Sequence, residues 1–174
     1  VRNDSQNIGL KCPYTGRWFV YHRPGWCTRE VARSESVDTD GLEFMKPFPS
    51  LRPDPLDQLL GIEHYAISVH AYDGGFLGFL RIYHKRWDNL TTWIELVVSR
   101  DGMRWQRLTD RTPIIGHGPD GAWDSRMIAP GYSLVPDAGG HWFYYDSWAV
   151  PHCGGATRLP GARCCVGRAF IPRR

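Results

Sequence analysis

The chain has 174 residues, 42% of them apolar and 22% charged, with a formal charge of +3; that balance supports a real core and excludes a disordered chain. Lys and Arg are scattered along the sequence, which argues against a nucleic-acid partner, and no apolar run approaches the ~18 residues of a membrane span. Eight Trp, eight Tyr and seven Phe beside 19 Gly and 13 Pro suit short strands joined by tight turns, so an all-β domain is expected.

In chain order, the first unit predicts strands near residues 5–11, 17–23 and 29–35, a turn at Asp38-Thr-Asp-Gly41 and a short outer strand over Leu42–Lys46. A Pro-rich connector, Pro47–Gly61, follows, in which Leu56-Asp-Gln-Leu-Leu60 suits a single helical turn. The second unit predicts strands near 65–71, 76–84 and 92–99, then the turn Arg100-Asp-Gly102 leading into Met103–Arg107. Alternation in Trp93-Ile-Glu-Leu-Val-Val98 marks a mostly buried strand with one apolar face. After the connector Thr112–Gly121, the third unit predicts strands near 126–134, 141–147 and 164–170, with no fourth strand after them.

An acid opens each unit: Asp4, then Glu63 after 59 residues, then Asp124 after a further 61. A strand-and-turn unit repeated at this period reads as propeller blades, about 1–60, 61–120 and 121–174, within one domain over residues 1–174. Inner strands of a propeller point their ends at a shared centre, so the three carboxylates are expected to converge. Each acid has an equally simple structural explanation, as a hydrogen-bonded strand-start residue anchoring its blade.

Two hairpins carry more than strand patterning. Ser99-Arg-Asp-Gly-Met-Arg-Trp105 is echoed in Ser34-Glu-Ser-Val-Asp-Thr-Asp-Gly-Leu-Glu-Phe44. In such a turn the Asp accepts backbone N–H groups, Gly supplies φ > 0 and the aromatic covers the blade edge, which predicts a staple between blades rather than a substrate contact. The five cysteines, Cys12, Cys27, Cys153, Cys164 and Cys165, match no metal-binding spacing and read as thiols rather than a disulfide framework. Trp18, Trp142, Phe143 and Tyr144 sit in central strands and read as core.

The series Asp4-Ser-Gln-Asn7, Ala32-Arg-Ser-Glu-Ser36, Ser99-Arg-Asp-Gly-Met-Arg-Trp105, Asp110-Arg-Thr-Pro113, Gly121-Ala-Trp-Asp-Ser125 and Trp142-Phe-Tyr-Tyr145 resembles the five-bladed β-propeller glycoside hydrolases, nearest to proteins similar to families 32 and 43. The resemblance runs along nearly the whole chain. It implies five blades where three are counted, the last incomplete, so a fragment of a longer protein is expected, whose remaining blades complete the working unit. It also implies a carbohydrate substrate or ligand and cleavage of glycosidic bonds by paired carboxylates; no cofactor and no metal are expected.

Glycoside cleavage uses one carboxyl group to protonate the leaving oxygen and another to activate water or attack the sugar. Asp4, Glu63 and Asp124 are the catalytic candidates by position. Glu63, beside Tyr65, is the expected acid if an apolar pocket raises its pKa. Asn7, His64, Tyr65, Arg126 and His152 lie near the same strand ends and offer donors and faces suited to sugar hydroxyls. Neither an Arg-Asp-Pro nor a Glu-Cys motif is present, so individual roles do not carry over. Two rival readings stay open: a non-catalytic propeller that binds glycans or proteins, and a metal-dependent hydrolase in which His64, His152 and an acid share one ion.

Overall fold

A computed structural model describes residues 6–24, 29–86, 89–108, 110–152 and 164–173. Asp4, Cys27 and Cys153 lie outside the described residues. The fold is a β-propeller segment of three consecutive blades. The first blade is β1 (Ile8–Lys11), β2 (Trp18–His22), β3 (Val31–Glu35) and β4 (Phe48–Leu51), antiparallel in sequential order. After helix α1 (Pro55–Leu60) comes the second blade, β5 (Ile62–Tyr72), β6 (Gly75–Arg86), β7 (Asn89–Ser99) and the two-residue β8 (Gln106–Arg107). The third blade is β9 (Met127–Asp137), β10 (Gly140–Trp148) and β11 (Cys164–Pro172).

The second and third blades touch edge to edge through a single parallel pair, Thr92 opposite Met127. There the Thr92 hydroxyl both donates to the Ile128 carbonyl at 2.8 Å and accepts from the Ile128 N–H at 3.0 Å. Elsewhere the blades meet face to face. One face of the second blade, carrying Ile67, Leu80, Ile82 and Val97, packs on Phe19 and Tyr21 of the first blade. Its other face, carrying Phe79 and Ile94, packs on Ile128 and Phe143 of the third, with Phe79 and Phe143 stacked 4.1 Å apart.

Ile62 and Ile67 both face the first blade although an odd spacing places residues of a regular strand on opposite faces. A β-bulge reconciles them. His64 pairs with Ile82 and Ala66 with Arg81, leaving Tyr65 as the extra residue in β5.

The expected outer strands are the main departure. Residues 42–46 form only one bridge, Ser36 to Phe44, and the edge strand is β4, further on. The Asp38 carboxylate accepts from the Asp40 and Gly41 amides, both at 3.1 Å, and holds the chain in a turn, leaving Leu42 exposed. Likewise Asp101 accepts from the Met103 and Arg104 amides, both at 2.8 Å, and shortens Met103–Arg107 to β8.

The stapling role of the Ser99–Trp105 hairpin is seen directly. Tyr21 Oη and Arg33 Nη1 of the first blade donate to the Gly102 and Asp101 carbonyls, and Trp105 Nε1 donates to Ser50 Oγ. Gly102 has φ +67°, and a Cβ there would meet Tyr21 Oη at 2.6 Å, so both conformation and space require glycine. No disulfide joins the three described cysteines, of which Cys12 is buried and Cys164 exposed. Of the aromatics read as core, Phe143 is buried, whereas Tyr144 is 37% exposed.

Candidate functional site

Side chains from all three blades meet where β5 begins. The bulge turns Tyr65 out of the regular pleat, and its hydroxyl lies 3.1 Å from His152 Nε2, on the segment after β10. Tyr83, on β6, packs edge-on at 5.9 Å from the Tyr65 ring and 5.0 Å from the His152 ring. Three guanidinium carbons surround the Tyr65 ring, Arg81 at 4.5 Å, Arg29 at 5.2 Å and Arg23 at 5.7 Å from its centroid. Arg23 and Arg29 come from the β2–β3 connection of the first blade, and Arg81 from β6. Gln6, just before β1, accepts from Arg81 Nη1 at 2.8 Å. Its φ of +64° is a left-handed conformation that a non-glycine residue adopts at a cost of about 1 kcal/mol or more.

Glu63 borders this cluster. Its carboxylate accepts from Arg29 Nη1 and from Lys85 Nζ, each at 2.8 Å. Burial acts to raise its pKa, but the two cationic donors outweigh it and hold the carboxyl below its ordinary value. The expectation of a raised pKa is therefore corrected: Glu63 is an ionised carboxylate, suited to accepting hydrogen bonds or a proton rather than to donating one. A cavity of about 310 Å³ opens beside it, lined by Arg29, Glu30, Arg52, Gln58, Glu63 and Lys85 among others. His152 is pushed down to about 4, first by burial and then by the charges of Arg81 and Arg29, so its ring is neutral near pH 7.

The other sequence candidates are placed elsewhere. His64 points the opposite way from Tyr65, into a buried network beneath α1: its Nε2 lies 3.2 Å from Asp57 Oδ2, and it is 1% exposed. Asp57 also accepts from Arg107 at 2.8 Å and from Arg111, while Arg107 bridges to the buried Glu95. His64 is thus a structural residue, and it shares no ligand position with His152. Among the described residues no group of three or more His, Cys, Asp or Glu is arranged to hold a metal ion. Asp124 precedes β9, and its side chain lies against Gly118 and near enough to Tyr145 to add, after burial, to the raised pKa of that phenol. Arg126 pairs at the surface with Asp120 at 3.3 Å, and Asn7 is exposed while its neighbour Gln6 reaches the cluster.

Arg23, Arg29, Arg81, Tyr83, Lys85 and Gln6 were not among the sequence candidates. Arg81 left one legible trace, a lone cation inside the apolar strand Phe76-Leu-Gly-Phe-Leu-Arg-Ile-Tyr83. The loop arginines left none. A larger cavity, about 790 Å³, lies between the Tyr72–Leu77 turn and the Ser99–Gln106 hairpin. It is at the far end of β5, about 30 Å along the strand from Glu63, and holds none of the sequence candidates.

No protein-family model matches the sequence, and no curated protein matches it. Among solved structures the chain superposes on an N-acetylgalactosamine deacetylase from F. plautii, in complex with blood group B trisaccharide, with a TM-score of 0.64, 15% identity and coverage of 95% of this chain and 49% of that one. A β-1,2-mannobiose phosphorylase from Listeria innocua, in complex with β-1,2-mannobiose, gives a TM-score of 0.62 at 16% identity, over 95% of this chain and 40% of that one. The family 32 β-fructofuranosidase BmSUC1 of Bombyx mori gives 0.59 at 12% identity, over 94% of this chain and 32% of that one. The chain thus spans half the length or less of each. At these identities the likeness concerns the fold, the propeller of glycoside hydrolase-like enzymes that the sequence motifs resemble.

Proposed function

We propose that the chain forms the sugar-recognising part of a propeller that acts on glycosidic bonds, with the Tyr65 cluster as its substrate surface. One observation carries this reading: the start of β5 gathers Gln6 and Arg29 from the first blade, Tyr65 and Arg81 from the second and His152 from the third around one aromatic ring. The half-buried Tyr65 ring supplies an aromatic surface for a pyranose, and amide, phenol, imidazole and guanidinium groups supply the few directed donors that fix its orientation. The fold neighbours crystallised with a trisaccharide and with mannobiose agree with a sugar ligand at the level of ligand class.

Glu63 would serve as base, nucleophile or acceptor of a sugar hydroxyl, with Asp4 as the remaining candidate carboxylate, since Asp124 lies apart from the cluster against Gly118. A second reading, a propeller that binds glycans without cleaving them, is favoured by the state of Glu63. Among the catalytic candidates it is the described acid at the cluster, and two cations pair with it.

The test is a panel of aryl-glycosides and oligosaccharides, assayed for binding and turnover with the full-length protein. Tyr65→Ala is expected to weaken sugar binding by more than about tenfold, as the loss of a stacking face does, with an unchanged melting temperature. Full affinity in that variant, or no sugar bound by the parent, would reject the site. Turnover that survives Glu63→Gln would remove Glu63 from the chemistry, and sugar binding without turnover in the parent would select the second reading.

A further inference from the structure

In the Tyr65 cluster two arginines, Arg81 and Arg29, keep buried N–H donors without acceptors. Arg81 is 6% exposed, between Leu80 and Ile82, which are fully buried. Its Nη1 donates to the neutral amide of Gln6, its Nε meets no acceptor, and the charge of Asp146 reaches it without an ion pair. Arg29 does reach Glu63, but Lys85 takes the other oxygen of that carboxylate, and Arg29 Nε also meets no acceptor. His152 adds no negative charge. Burial pulls the Arg81 guanidinium down to about 10, which still leaves it charged at neutral pH. Guanidinium groups this dry are ordinarily paired.

We infer that the Arg81 and Arg29 guanidinium groups form an oxyanion site for the carboxylate of an acidic sugar, seated with its ring against Tyr65. The inference rests on the reading of this cluster as a sugar site. A guanidinium presents its N–H groups as a planar fork that matches a carboxylate with two parallel hydrogen bonds. The anion would supply acceptors to nitrogens that have none and relieve the repulsion among the cations around one ring. The half-buried Tyr65 ring and the Gln6 amide distinguish an anion carried on a sugar from a free one, because inorganic phosphate has no ring to lay against Tyr65.

Calorimetry on the full-length protein at low ionic strength compares methyl glucuronide and methyl galacturonide with methyl glucoside, methyl galactoside and inorganic phosphate. At least one uronide is expected to bind about tenfold or more tightly than its neutral counterpart and than phosphate, with a preference that shrinks as salt is added. Arg29→Gln, in a side chain about a third exposed, is expected to lower uronide affinity by about tenfold or more and neutral-sugar affinity by less, so that most of the preference is lost. Arg81→Lys is expected to act in the same direction, and its melting temperature separates loss of the site from loss of the fold. Equal binding of uronide and neutral sugar, or a preference untouched in Arg29→Gln, overturns the oxyanion site and leaves the sugar site standing. Phosphate binding as tightly as any uronide overturns the acidic sugar in favour of a free anion. No binding of any sugar overturns both readings.

Discussion

At the scale of single residues, Tyr65 and His64 show how far a sequence can be followed. The two are neighbours and both were candidates for sugar contact. A strand sends adjacent side chains to opposite faces, so His64 went to the Asp57 network and Tyr65 to the cluster. The segment was legible as important, but which neighbour faces the centre depends on a bulge that a single sequence does not print. The same holds at Gln6 and Asn7, where a left-handed conformation brings Gln6 rather than Asn7 to the cluster. Acidity belongs at this scale too. His70 and His152 are each pulled down to about 4 from 6.5, first by burial; His141 adds to the effect at His70, and the nearby arginines do so at His152. The unfolded chain therefore takes up these protons first, so their contribution is complete above pH 6.5 and is lost as the pH falls from there through 4. Thermal or urea unfolding is expected to show a loss on the order of 1–2 kcal/mol between pH 7 and 4.5, and His70→Gln is expected to flatten that slope. An equal slope in the variant would contradict the assignment.

At the scale of elements, turns decide more than strands. Strand positions follow from aromatic and β-branched runs, and all the inner strands were found close to their expected places. The outer strands were displaced because Asp38 and Asp101 hold backbone amides that a strand needs for its ladder. Helix α1 was foreshadowed as one turn, but its function was not. Asp54 and Asp57 form a capping box, Pro55 opens the helix and Gly61 closes it at φ +72°. That geometry buries Asp57 where His64, Arg107 and Arg111 reach it from distant parts of the second blade and its following loop. Contacts so far apart in sequence are invisible to local patterning. Asp57→Asn leaves Arg107 and Arg111 facing a neutral group in a dry site, so a loss of about 3–5 kcal/mol is expected in chemical denaturation. A loss below about 1 kcal/mol would mean that the network is not the clamp between α1 and the second blade.

At the scale of the whole molecule, the period of about 60 residues and the order of motifs were enough to count three blades and to anticipate a propeller. The assembly of the site was less legible, because half of it comes from connections between strands, where sequence carries no periodicity. The same three-blade stacking explains why the middle blade is apolar on both faces: each face is covered by a neighbour.

The extra residue in β5 has an unusual standing in this architecture. Every residue on either side of it is already paired with the partner it would have in an uninterrupted ladder: His64 with Ile82, Ala66 with Arg81. Excising Tyr65 would therefore straighten the strand without moving any core side chain to the wrong face, whereas removing Ala66 would straighten it only by drawing the bulky Tyr65 into the buried place of Ala66 opposite Arg81. The deletion variant is expected to fold with a cooperative melt and to lose sugar affinity altogether, while deletion of Ala66 is expected to be far less stable. Tyr65 would then be dispensable to the architecture and essential to the proposed sugar site.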